Sequence, residues 1–227
     1  MQHELSIIVP VYNEAATVAS IMDAITHSCP DAQIIYVDDG SSDDSLAILH
    51  AHARPTDIVL TKSNGGKGSA IRLGLAQANG TYTVIQDADL EYDPREIHLL
   101  LDAAREHPGS AIFGSRFFQG KTPHIYWRFL FGNKTLTGFL NLLFGSSLTD
   151  SYTCYKLLPT DVFRGLHLTS NGFELEAEIA AKCLKRGIGI HEVPISYRPR
   201  TIEQGKKIGW KDAIKGLLMM VKVKIRK

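Results

Sequence analysis

Tyr82-Thr83-Val84-Ile85-Gln86-Asp87-Ala88-Asp89 is the stretch on which the reading turns. Its first half is β-branched and aromatic, the composition of a short buried strand. Its second half places two carboxylates two residues apart, which repel each other unless a cation lies beside them. Oxygen ligands suit Mg2+ or Mn2+, and one or two carboxylates completed by substrate phosphates are a common setting for such ions. Asp87 and Asp89 are therefore candidate metal ligands, with Glu91 as a third. The same residues also suit a solvated turn ahead of the helix that Pro94 opens.

Upstream, the pattern repeats. Leu5–Val11, Gln33–Val37 and Ile58–Leu60 read as apolar strands, and each is followed by a helical segment: 14–28, 45–52 and 69–77. Ala111–Gly114 reads as a fifth strand after a helix reaching to about Glu106. Strands apolar throughout and alternating with helices predict an α/β fold, a mostly parallel sheet flanked by helices. Ligands in such folds sit beyond the carboxyl ends of the strands. Three strands deliver polar groups there: Asn13-Glu14, Asp38-Asp39 and Asp87-Asp89. Asp38 precedes Gly40 and can serve either an ordinary strand-to-helix turn or hydrogen bonds to a ribose or base. Gly65-Gly66-Lys67-Gly68-Ser69 suggests a phosphate loop but fails its spacing, since Thr61 stands where the first glycine belongs.

The second half is less regular. Residues 123–147 read as two amphipathic helices parting near Gly132, 153–158 as a strand, 172–186 as a helix, and 188–197 as a strand. Residues 198–209 form a basic loop, and 210–224 a basic amphipathic helix suited to a membrane surface. The 227 residues make one domain with a sizeable core, and the net charge of +1 argues against nucleic acid as a partner. Three scattered cysteines without a CxxC pair support neither a zinc site nor a disulfide framework. No signal peptide or membrane span is evident, which predicts a cytoplasmic protein, soluble or peripheral on the inner face of the membrane, with any firmer attachment supplied by a membrane-protein partner.

Val9-Pro10-Val11-Tyr12-Asn13-Glu14, Asp38-Asp39-Gly40-Ser41-Ser42-Asp43, Gly66-Lys67-Gly68 and Asp87-Ala88-Asp89 occur in the order seen in family 2 glycosyltransferases of the GT-A (nucleotide-diphospho-sugar transferase) fold. Gly114-Ser115-Arg116, Thr149 to Lys156, Gly172-Phe173-Glu174, Glu192 to Ile195 and Gly205 to Asp212 extend the match. The chain resembles, within that family, the dolichol-phosphate mannose synthase and polyprenyl-phosphate glucosyltransferase branch.

The resemblance implies a single domain: residues 1–116 as the nucleotide-sugar half, and 117–227 as the acceptor half with the basic C-terminal helix. It implies that Pro10, Tyr12, Glu14, Asp38, Lys67, Asp87, Ala88 and Asp89 bind the donor, with metal on Asp87 and Asp89. Arg200 and Lys207 resemble a basic loop closing over the donor diphosphate. Arg116 and Arg128 match arginines that hold an acceptor phosphate. The branch has a serine four residues after the second arginine; Gly132 stands there, and Lys134 is the candidate substitute. The implied reaction is metal-dependent, inverting transfer of a hexose from a nucleoside-diphosphate sugar (UDP-glucose or GDP-mannose type) to a polyprenyl phosphate. A hydroxyl acceptor, in cell-wall or polysaccharide synthesis, would need a general base, and Asp150 is the first candidate, Glu174 the second. A nucleotide-sugar-binding module without turnover is the alternative outside enzymes.

Overall fold

A computed structural model describes residues 3–118, 127–200 and 210–226, without the side chains of 127–129 and 210. The elements run β1 (Leu5–Val11), α1 (Val18–Ser28), β2 (Gln33–Asp38), α2 (Ser45–His52), β3 (Ile58–Thr61), α3 (Lys67–Gln77), β4 (Tyr82–Ile85), a 3-10 turn (Pro94–Glu96), α4 (Ile97–Glu106), β5 (Ala111–Ser115), α5 (Trp127–Phe144), β6 (Lys156–Pro159), α6 (Thr160–Gly165), α7 (Leu175–Lys185), β7 (Ile190–Pro194) and α8 (Trp210–Ile225).

The strands form one seven-stranded sheet in the order β3-β2-β1-β4-β6-β5-β7. β1, β2, β3 and β4 are mutually parallel, as the apolar runs predict. β6 runs antiparallel between β4 and β5, and β7 rejoins β5 in parallel. Ile7, Ile8, Ile34, Ile35, Val84 and Ile85 are completely buried at the centre of the sheet. Edge strands β3 and β7 are half-exposed, which is where a sheet covered by helices on both faces meets solvent.

The register sets the site. Val11 pairs with Asp38, and Asp38 with Thr61, so the polar residues after β1, β2 and β3 leave the sheet on one edge. β4 ends beside them, where Gln86 donates its N–H to the Ile8 carbonyl at 3.0 Å. Asp93 caps the 3-10 turn through Arg95 N at 3.1 Å, with Pro94 at its first position.

The stretch read as two helices is a single α5 from Trp127 to Phe144 over the described residues. Gly132 and Gly138 do not break it, although each costs about 1 kcal/mol of helix propensity relative to alanine. A Cβ at either would meet nothing within 4 Å, while Leu136 and Leu140 of the same helix are buried. Tertiary packing offsets the propensity cost. α8 packs on α7 and α5, with Met220 and Val223 buried in the contact.

Candidate active site

The first wall of the site is built by carboxylates that hold their own loops. Asp38, almost fully buried, accepts from the N–H groups of Gly40 at 3.1 Å and Ser41 at 3.2 Å. Asp39 accepts from Lys62 Nζ at 2.6 Å, Gly65 N at 3.0 Å and Gly66 N at 2.7 Å. This staples the 62–66 loop across the end of β2. Gly66 adopts φ +91°, and a Cβ there would lie 2.5 Å from the Asn171 carbonyl oxygen; at Gly68 it would lie 2.5 Å from that of Ser170. The glycines thus let the start of α3 press on the 170–172 loop. Glu14 N donates to Ser45 Oγ at 2.8 Å, tying the turn after β1 to α2. Pro10 and the half-exposed Tyr12 lie on the same edge.

The acidic pair stands at the centre. Lys67, the first residue of α3, contacts Asp87 at 2.7 Å and Glu176 at 3.1 Å. Glu176 takes the fully buried Lys156 at 2.5 Å on its other oxygen. Burial works against charge on Lys67, but Asp87 and Glu176 outweigh it and hold the ammonium ionised. Asp89 is in the opposite position. Burial, then the charges of Asp87 and Glu91, push its carboxyl up to about 6, against the pull of Arg200. Ala88 is buried between the two carboxylates, and Leu90 follows at φ +60°, an unusual conformation for a branched side chain that turns the chain away from β4. Among the described residues no three His, Cys, Asp or Glu side chains stand so as to hold a metal by themselves. The crowded Asp87 and Asp89 nevertheless suit a divalent ion that takes its remaining ligands from substrate phosphates and water.

A segment after β7 closes over this pair. Arg200 places its guanidinium on Glu14, with two contacts of 2.9 Å, and on Asp89 at 3.0 Å. Glu91 anchors the segment: Tyr197 OH donates to it at 2.6 Å, Arg200 N at 2.6 Å, and Arg198 N to its carbonyl at 2.9 Å. Glu91 is thus first of all an anchor, although each carboxylate oxygen has a second lone pair for a cation.

Tyr197 links the acidic pair to a second cluster of charged side chains. Its ring lies 5.3 Å from that of Tyr92 and 5.0 Å from the guanidinium of Arg116. Arg116 forms a fork with the buried Asp150, Nε–Oδ2 2.7 Å and Nη2–Oδ1 2.9 Å. Asn133 donates to Asp150 Oδ1 at 3.0 Å, and Glu192 accepts from Asp150 N at 2.9 Å. Asn133, not Lys134, is therefore the α5 residue that reaches this cluster; Lys134 is exposed one step round the helix. The side chain of Arg128 and the whole of Lys207 lie outside the described residues. Glu174 Oε1 accepts from Gly172 N at 3.1 Å, and its Oε2 is buried without a hydrogen bond.

Glu176, Lys156, Asn133, Glu192 and Tyr197 were not singled out as site residues by the sequence. A lysine inside an apolar strand was the available signal for Lys156, because a buried ammonium requires a buried acid.

Residues 6–166 match the model of "Glycosyl transferase family 2". Polyprenol monophosphomannose synthase of Mycolicibacterium smegmatis is 29% identical over 89% of this chain and 80% of its own length. The low-salt glycan biosynthesis hexosyltransferase Agl6 of Haloferax volcanii is 28% identical over 86% of this chain, which spans 48% of that protein. Undecaprenyl-phosphate 4-deoxy-4-formamido-L-arabinose transferase of Yersinia pestis is 39% identical over 45% of this chain, a third of its own length at 34%. Glucosyl-3-phosphoglycerate synthase from Mycobacterium tuberculosis, crystallised with Mn2+, UDP-glucose and phosphoglyceric acid, superposes with a TM-score of 0.72 at 17% identity, covering 98% of this chain and 80% of its own. With its mixed seven-stranded sheet and its acidic pair at the end of β4, this chain belongs to glycosyl transferase family 2 and is a glycosyltransferase of the GT-A fold.

Proposed function

We propose that the protein moves a hexose, with inversion, from a nucleoside-diphosphate sugar of the UDP-glucose or GDP-mannose type to a polyprenyl phosphate at the inner membrane face. One observation carries the choice of acceptor. Asp150, the first candidate for a general base, is buried, paired with Arg116 in a fork and hydrogen-bonded by Asn133. Each of its oxygens already accepts two hydrogen bonds, Oδ2 from Arg116 N and Nε and Oδ1 from Arg116 Nη2 and Asn133 Nδ2, which leaves no lone pair for a substrate hydroxyl, whereas a phosphate arrives ionised and needs no base. The Asp150 fork uses two of the five guanidinium donors of Arg116, which leaves the group suited to a phosphate as well.

On the donor side, Asp87 and Asp89 would hold Mg2+ or Mn2+ against the diphosphate, with Glu91 adjacent. The ion would supply stabilisation of the negative charge that develops on the leaving nucleoside diphosphate. Arg200 and Lys207 would add positive charge to the same group. Tyr12, Pro10 and Asp38 would line the nucleoside pocket, while Arg116 and Arg128 would position the acceptor for in-line attack on the anomeric carbon.

The outer faces of α5 and α8 support a peripheral lie on the membrane. Ile214, Leu218, Val221 and Ile225 are exposed at a spacing that makes one stripe along α8, and Phe131 and Leu142 are exposed on α5. Lys211, Lys215, Lys222 and Lys224 flank the α8 stripe, the arrangement that favours an anionic surface. Among the described residues no helix is long and apolar enough to cross a membrane. The relatives named for polyprenol and undecaprenyl phosphate support the lipid acceptor.

The buried Oε2 of Glu174 favours one second reading, a hydroxyl acceptor with Glu174 as base. Offering undecaprenyl phosphate and undecaprenol separately, with labelled donor and Mn2+, distinguishes the two. Label on the phosphate alone supports the proposal, and label on the alcohol overturns it.

A further inference from the structure

Each carboxylate of the Asp87–Asp89 pair carries an internal cation, and the two cations are held differently. Lys67 on Asp87 belongs to a helix and is fixed by a second buried acid, Glu176, which itself is fixed by Lys156. Arg200 on Asp89 belongs to a segment without regular secondary structure, and its side chain spans from Asp89 to Glu14. Between two acids the guanidinium occupies the electrostatic place that a divalent ion would take at Asp89.

We propose that Arg200 is a displaceable internal cation, with Glu14 as the residue that positions it. Without donor, Arg200 neutralises Asp89; when metal and nucleoside diphosphate arrive together, it transfers from Asp89 to the diphosphate. This inference rests on the metal-dependent transferase reading.

Three observations carry it. Glu14 and Asp89 together give Arg200 a bridged position, so its release from Asp89 leaves it still paired with Glu14. Glu91 grips the backbone of Arg200 and the hydroxyl of Tyr197, so the guanidinium can change partner through its own torsions while the chain stays in place. The new partner is chemically favourable, because a guanidinium binds phosphate oxygens in the same forked manner as carboxylates. The consequence is coupling. A metal alone must compete with Arg200 for Asp89, whereas a metal with nucleotide brings Arg200 a replacement anion. Linkage then requires that metal and nucleotide strengthen each other's binding by one common factor.

The test is calorimetric titration of the full chain with Mn2+, alone and with UDP or GDP, for wild type, Arg200→Gln and Arg105→Gln. Arg105 pairs with Glu4 ahead of β1, at the other end of that strand from the cleft, and controls for a general change of charge. Arg200→Gln is expected to bind Mn2+ alone about fivefold more tightly, and the factor by which nucleotide strengthens Mn2+ binding is expected to fall by about the same fivefold. Arg105→Gln is expected to change neither by more than about twofold. Mn2+ affinity in Arg200→Gln that is unchanged, or tightened equally with and without nucleotide, overturns the inference and leaves the transferase reading standing. Wild type that binds no Mn2+ even with nucleotide removes the metal reading and this inference with it.

Discussion

Asp89 should be a residue that the metal-free protein would fold better without. Its carboxyl is raised from 3.8 to about 6, first by burial and then by Asp87 and Glu91. A shift of about two units corresponds to roughly 3 kcal/mol against the ionised form at neutral pH. Arg200 loses one partner in Asp89→Asn but keeps Glu14, so the expected gain in metal-free stability at pH 7 is about 1–3 kcal/mol. The sign follows from proton counting. Between pH 3.8 and about 6 the folded protein holds a proton on Asp89 that the unfolded chain has released. Stability from this group therefore falls as pH rises through that window, and the loss is complete above it. The advantage of Asp89→Asn should accordingly be small near pH 4.5 and full by pH 7. Urea unfolding with a chelator present, at several pH values, reads this directly, and excess Mn2+ should reverse the order by stabilising wild type alone. A metal-free Asp89→Asn protein less stable than wild type by more than about 1 kcal/mol at pH 7, or a difference independent of pH, would refute the reasoning.

Other outcomes follow from the same geometry. Arg116→Ala leaves Asp150 buried without its fork and should cost about 3–5 kcal/mol in urea unfolding, as breaking a buried pair does. Lys156→Met should be similarly costly, because it leaves Glu176 with Lys67 alone, whereas Lys134→Met on the exposed side of α5 should stay within about 0.5 kcal/mol of wild type. Gly66→Ala should lose about 2 kcal/mol or more, since it adds a Cβ against the Asn171 carbonyl at a positive φ, and thermal unfolding checks it.

The parallel half of the fold was legible because β1, β2 and β4 are buried on both faces and therefore mostly apolar. Their carboxyl ends could be read for the same reason: Asp38, Asp87 and Asp89 are conspicuous directly after such runs. The antiparallel β6 was not legible as such, since four residues of Lys-Leu-Leu-Pro carry no record of direction. Single-helix α5 was misread because local propensity at Gly132 was weighed without the packing of Leu136 and Leu140. Contacts made across long sequence separations escaped for a related reason. Glu91 to Tyr197 and Asn133 to Asp150 depend on how distant segments return, and Tyr197 and Asn133 do not stand out locally. Family resemblance supplied Arg116 and Arg200, and the structure pairs them with Asp150 and Glu14, both already candidates in the sequence.

The most direct test of the account is a two-phase transfer assay with wild type and Asp89→Ala. Purified protein is incubated with undecaprenyl phosphate, Mg2+ or Mn2+, and labelled UDP-glucose or GDP-mannose in turn, then extracted with organic solvent. The account predicts label in the organic phase for wild type with one of these donors, lost on chelation, on omission of lipid, and in Asp89→Ala. Transfer that persists in Asp89→Ala with a chelator present would contradict the assignment of metal and donor to the end of β4.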